Sequence, residues 1–520
     1  MGENTTEAKS AKEPNEANRN RLLSAALNPV YCVSAYLVYL LLRQIAIVAD
    51  YLGPLQYPLL AWAYLIIGYS LLRKREFFSA PWQKVLVLLL PAAAITLAVN
   101  FAVNPVTQVK SAILLAVSLL LVYPTGAHVA RSANPHRELA KVLLPAQIVT
   151  GLQAFTSVVM IGVGYTFLDK FLGVTRHLGV QSLTYGGNRV FIVFGMNVDS
   201  NHAALFGIVS IFVTTWAYVY REKIFTSVRG KKVFKLLYWI NLALLVLAIP
   251  AANSRGAKVA LFTALAIVAI WLFVFYYRRS EYLQKQAKVV LFVWVLLFGG
   301  VGYLAVNSAI EAIVEGEIGY YSAIFKITHN IDSDDNADWK MLDDINMLSI
   351  EKGDAAHSAR VYIWAETLQL WQDHAIVGIG PYNTDEYAKT EHLPTEQHRL
   401  ERGYHVHNSY LDVLISYGVL GFGIYVVFFI GCLVSYVKVS KARHADWADF
   451  LLGAAWLTIM AGVMLLTDSF LGFEYMFGVL LVIMSFLIAR PASSPMRLPV
   501  IKLREVKLVK GATATPEIEH

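Results

Sequence analysis

The sequence predicts an all-α polytopic membrane protein of about twelve transmembrane helices, and three observations carry that prediction. The first is composition: 57% of the 520 residues are apolar and only 16% are charged, against about 25% charged in soluble domains. The second is a series of apolar runs of about 17 to 25 residues, the length that crosses a bilayer. The third is the alternation of lysine and arginine between successive loops, which short cytoplasmic loops of membrane proteins display. The mean hydropathy of +0.51 agrees. These features exclude a cytosolic enzyme, a long disordered chain and a secreted disulfide scaffold. The two cysteines, Cys32 and Cys432, both lie in apolar runs and make no framework.

Residues 1–28 are polar and end in Arg19 and Arg21, without the early apolar core of a cleaved signal peptide. They read as a cytoplasmic tail. Nine apolar runs follow within 29–306, near 30–50, 54–72, 85–103, 109–126, 141–166, 203–220, 234–251, 256–277 and 288–306. A large extracytoplasmic loop is expected over 307–408. Three more spans, near 409–436, 448–466 and 470–489, fill 409–490, and a basic cytoplasmic tail occupies 491–520.

With the N-terminus inside, the even-numbered crossings return the chain to segments rich in Lys and Arg, so both termini are expected in the cytoplasm. The formal net charge of +7 therefore describes no single surface and gives no argument for nucleic acid. The segment 307–409 alone carries 18 acidic and seven basic residues. The basic C-terminal tail reads as a contact with membrane lipids or a topology signal.

No P-loop, dinucleotide fingerprint or internal repeat is present. Polar chemistry is concentrated instead on the outer side, in 167–202, around Arg255 and in the long loop. Within that loop Val361, Trp364, Leu368 and Trp371 recur at helical spacing, which predicts an amphipathic helix, lying on the membrane interface or packed as a lid on the spans. Gly378-Ile-Gly380-Pro381 breaks it. The loop closes with His405-Val-His407-Asn408-Ser409; nine residues separate Asn408 from Gly418, and Gly421 follows three positions later.

His407-Asn408-x9-Gly418-x2-Gly421 closely resembles the signature of the O-antigen ligase family. Asn253-Ser254-Arg255-Gly256, Arg360-x3-Trp364 with its Gly378-to-Pro381 turn, and a looser Arg189…Gly195…Asn201 pattern extend the resemblance over roughly 185–425. It implies a metal-independent, inverting glycosyltransferase of the C-type membrane fold in a bacterial cytoplasmic membrane. Such an enzyme moves a glycan from an undecaprenyl diphosphate carrier to a lipid or glycolipid acceptor, such as a lipid A core, on the extracytoplasmic face. Arg255, Arg360 and His407 carry over as the catalytic residues, with Arg189, Ser254, His405 and Asn408 as substrate-binding candidates and no cofactor. A polymerase of the same superfamily is the nearest alternative, and a lipid-linked sugar transporter is a more distant one. The acidic stretch Asp332 to Asp344 matches nothing in the family.

The residue chemistry fits that implication. Ser254 or Asn253 can cap the eighth span, and Asn408 or Ser409 can cap the tenth, with Ser409-x-x-Asp412 resembling a capping box. Both helix N-termini are then expected to face the outer side, where free N–H groups and the macrodipole attract phosphate. Arg255 and Arg360 add planar bidentate donors for a departing diphosphate. His407, beside a helix N-terminus, is suited to accept a proton in its neutral form. It equally suits a helix cap. A zinc site drawn from His392, His398, His405 and His407 with Glu391, Glu396 and Glu401 has no compact ligand spacing, so no metal is expected.

Overall fold

The computed structural model describes residues 23–45, 48–49, 51–163, 166–171, 174–185, 188–197, 200–252, 355–391, 406, 408–443, 447–466 and 475–490, with 266 and 308 singly. Helices α1 (Pro29–Leu42), α2 (Gln56–Arg73), α3 (Gln83–Val87), α4 (Leu89–Val99), α5 (Pro105–Val117), α6 (Tyr123–Ala130) and α7 (Pro135–Val163) come first. A π-helical turn, Ser118–Val122, joins α5 to α6. After a small sheet come α8 (Ser200–Val219), the short α9 (Arg221–Ile224) and α10 (Val228–Ala251). The remainder is α11 (Ala355–Asp373), α12 (Thr384–Glu391), α13 (Ser409–Arg443), α14 (Trp447–Leu466) and α15 (Tyr475–Ala489). Six of the resulting helical stretches are long and apolar enough to cross a membrane, among them Pro105–Ala130, Val228–Ala251 and Ser409–Val439. The chain is thus a polytopic helical membrane protein. The expected spans at 256–277 and 288–306, and the acidic stretch 332–344, lie outside the described residues.

Helix α15 shows how the bundle is assembled. Every residue from Tyr475 to Ile488 is buried, as expected of a helix that is apolar all round and sits at the centre. It packs on α6, where Gly126 lets the two backbones meet: a Cβ there would fall on Ser485 Oγ and the Val482 carbonyl. At one end of the bundle α15 finishes in Arg490, which pairs with Asp449 of α14 and lies 3.2 Å from His136 Nε2 of α7. The Trp216 indole also donates to Asp449, at 3.4 Å. Four helices are tied there. Cys32 and Cys432 are buried and unpaired.

The expectation of an all-α chain needs one correction. Residues 166–195, read from sequence only as a polar outer segment, form a three-stranded antiparallel sheet: β1 (Thr166–Phe171), β2 (Val174–Tyr185) and β3 (Asn188–Gly195). The physical reason is legible after the fact. Val, Ile, Thr, Phe and Tyr are frequent here and suit a pleated backbone, and Gly186-Gly187 separates two such runs by two residues, a hairpin pattern. Gly195 ends the sheet at φ +57, packed so closely on Ser157 that no Cβ would fit. Asn197 then bridges to Ile45, just past α1, and fixes the sheet to the end of the bundle opposite Arg490.

Candidate functional site

The sheet end of the bundle also receives the two helices of the long loop. Helix α11 docks on α13 and builds a small second core of Ile363, Leu370, Ile379, Ala388, Val406 and Ile415, with Trp364, Trp371, Tyr387 and Leu411 packed around it. The expected helix forms, and Trp364 and Trp371 of its apolar stripe pack on this core. Its most buried residues are Ile363, Glu366, Thr367 and Leu370, all at most 2% exposed, whereas Leu368 of the expected stripe is 40% exposed. Two polar residues thus share the buried face. Thr367 satisfies its hydroxyl on the Ile363 carbonyl at 2.7 Å.

One contact places the arginine-bearing helix against the histidine-bearing segment. Trp364 Nε1 donates to the carbonyl of Val406 at 3.0 Å. Arg360 lies one helical turn before Trp364, and His407 is the residue after Val406. The side chains of Arg360 and Arg189 are outside the described residues; the Arg189 backbone pairs with Thr184 in the sheet. Ser254, Arg255, His405 and His407 also lie outside them, as do the zinc candidates His392, Glu396, His398 and Glu401.

Asn408 is placed, and it caps α13. Its side-chain Oδ1 accepts from the backbone N–H groups of Tyr410 at 3.0 Å and Leu411 at 3.3 Å. That settles which of Asn408 and Ser409 is the cap. The cap consumes two N–H groups of the helix terminus and leaves the amide nitrogen of Asn408 as a donor at the same end.

Gly418 explains the next part of the signature. Helix α13 is broken there, with φ 61 and ψ −167, and the break admits the turn that follows α11. Val419 N donates to the Ala375 carbonyl at 2.8 Å, Ile379 N to Ile415 O at 2.9 Å and Gly380 N to Ser416 O at 2.9 Å. Gly378, at φ +71, faces this junction, and a Cβ on it would lie 2.5 Å from Ile415 O. A Cβ on Gly418 would collide with the Ile376 carbonyl. Gly418 thus allows the close approach of a loop turn; Gly423 has open space around it. Tyr382 adds a third left-handed residue shape to the turn, at φ 62.

A polar clamp that sequence reasoning did not find fixes the same turn to α4 and α5. Thr96 Oγ1 donates to Val377 O at 2.6 Å, and Asn100 Nδ2 donates to Gly378 O at 3.0 Å. Tyr387 OH donates to Asn100 Oδ1, and Gln108 Nε2 donates to Asn100 O at 2.9 Å. Thr96, Asn100 and Gln108 are all buried. Isolated polar residues at the ends of apolar runs were its only signal. On α12, Lys389 loses some hydration, which works against its charge, but Asp385 and Glu386 outweigh this and hold its pKa above the ordinary lysine value.

A search of curated proteins returns no match to the chain. A family model described as O-Antigen ligase matches residues 240–426, which include Arg255, Arg360, His407 and the Gly418 break. Arg189 and the sheet precede the matched stretch. The segment that carries the docked loop helices and the capped start of α13 is thereby similar to the O-antigen ligase family over residues 240–426.

Proposed function

We propose that the protein is a glycosyltransferase that moves a glycan from an undecaprenyl diphosphate carrier to an outer-leaflet acceptor such as a lipid A core oligosaccharide. The observation that carries this reading is the Trp364–Val406 contact, which brings the Arg360 helix and the His407 segment to one end of the bundle. The family match over the same residues supports it.

In this reading Arg255 and Arg360 hold the diphosphate through paired hydrogen bonds and stabilise the charge that grows on it. Neutral His407 accepts the proton of the acceptor hydroxyl as that oxygen attacks the anomeric carbon. The new glycosidic C–O bond forms as the bond to phosphate breaks, so the diphosphate leaves with the electron pair and the anomeric configuration inverts. Asn408 holds the start of α13 and offers its amide to substrate. Ser254, His405 and Arg189 bind around the same centre. Purified protein supplied with carrier-linked glycan and candidate acceptors tests the reading. Product on the core acceptor supports ligation, product on a second carrier makes the enzyme a polymerase, and no product on any acceptor contradicts both.

A further inference from the structure

Helix α10 carries charge at one end only. Arg229, Lys231, Lys232 and Lys235 stand near its start, and none of its 24 residues is acidic. Lys231 is accounted for, because it pairs with Glu222 of α9, whose carboxylate also lies 3.8 Å from Arg221. Arg229, Lys232 and Lys235 are exposed, and among the described residues no carboxylate pairs with them. Like charges three positions apart on a helix repel, and cations in a first turn oppose the macrodipole. Three positive charges thus stand uncompensated where the helix itself disfavours them.

The surface beyond them is apolar. Arg229 and Lys232 begin a stripe that continues through Leu236, Trp239, Ala243 and Val246, at steps of three or four residues that keep to one side of the helix. All six are exposed, Leu236 by 62% and Trp239 by 52%. Lys235 stands at the edge of the same stripe. Its length from Arg229 to Val246 is about 25 Å at 1.5 Å per residue, enough to cover a headgroup and the acyl chains beneath it. Only five residues of α10 are buried, so this face is not used in packing the bundle. A molecule with an anionic head and long apolar chains complements both parts of the stripe at once.

We propose that this face of α10 binds an anionic phospholipid whose headgroup carries two phosphates. The phosphates lie on Arg229, Lys232 and Lys235, which are spread over about 9 Å of the helix axis, further than one phosphate group spans. The acyl chains run along Leu236, Trp239, Ala243 and Val246, with the Trp239 ring at the level where headgroup gives way to chain. A zwitterionic lipid is a poorer occupant because it brings its own cation against the three. By the lysine and arginine bias this end of α10 is expected to face the cytoplasm, so the lipid is a bound structural partner and not a substrate. The proposal is therefore independent of the function proposed above.

The test titrates the full-length protein in detergent with cardiolipin, phosphatidylglycerol or phosphatidylcholine and reads the bound lipid by native mass spectrometry. Wild type is expected to bind cardiolipin most tightly and phosphatidylcholine least. Neutralising the three cations together, Arg229→Gln with Lys232→Gln and Lys235→Gln, should weaken cardiolipin binding roughly tenfold to hundredfold and leave phosphatidylcholine unchanged, while Lys232→Gln alone should lose severalfold. A control neutralises three other exposed cations, Arg73, Lys74 and Arg75, and should stay near wild type. Cardiolipin bound no more tightly than phosphatidylglycerol by wild type would overturn the two-phosphate site. An equal loss in the control would also overturn it and leave only the general basicity of a cytoplasmic surface.

Discussion

Trp364 of α11 donates its indole N–H to the buried carbonyl of Val406, 42 residues further along the chain, at 3.0 Å. This bond spans the join between a helix of the long loop and the segment that starts α13. In the proposed function it holds the helix that carries Arg360 beside the segment that carries His407. Trp364→Phe keeps most of the ring packing but leaves the Val406 carbonyl without its donor, at a cost of about 1–3 kcal/mol. Transfer should fall roughly tenfold or more at normal membrane abundance. Unchanged transfer would show that the join does not position the site.

The break at Gly418 gives a paired prediction. Gly418→Ala forces a Cβ into the Ile376 carbonyl at a left-handed φ, which costs about 1–3 kcal/mol or more. It should lower the thermal midpoint in detergent and undock the 375–380 turn. Gly423→Ala, five residues along the same helix and with nothing within 4 Å of the added carbon, should stay near wild type. Equal effects at the two positions would contradict the docked turn.

The Asn100–Tyr387 bond should couple α4 to α12. Asn100→Ala and Tyr387→Phe each release the turn, so the double variant should lose less than the sum of the two. A coupling of about 0.5–3 kcal/mol is expected in a double-mutant cycle on unfolding. Strict additivity would mean that the clamp stores no shared energy.

The sequence made some of this legible and hid the rest, for physical reasons. The apolar runs announced helices such as α10 and α13 because membrane spans are long and continuous. Asn408 announced a cap because its short side chain before an apolar run is a local signal. The sheet escaped notice because strands of 6 to 12 residues were set among far stronger helical signals. The face of α11 was only partly legible because Glu366 and Thr367 are buried by tertiary contacts that periodicity does not see. The clamp around Asn100 joins residues almost 300 positions apart, and no local pattern marks such a pair.

Orientation is tested by thiol labelling. If the lysine and arginine bias is read correctly, a cysteine at Ser254 or Ser358 should react with a membrane-impermeant reagent from outside intact cells, and one at Ser227, the N-cap of α10, should not. The reverse pattern would move the site to the cytoplasmic side and away from a lipid-linked donor in the outer leaflet.

The most direct test of the proposed chemistry is the His407→Ala enzyme, assayed for transfer and for carrier diphosphate binding on the same preparation. A histidine that takes the acceptor proton contributes about 10² to 10⁴-fold. The variant should therefore lose transfer by that factor, keep its diphosphate affinity, and remain unaffected by EDTA in whatever activity survives. An Arg360→Ala enzyme should show the opposite split, with weakened diphosphate binding. Full transfer by His407→Ala would contradict the account and leave this histidine as a neighbour of the Asn408 cap.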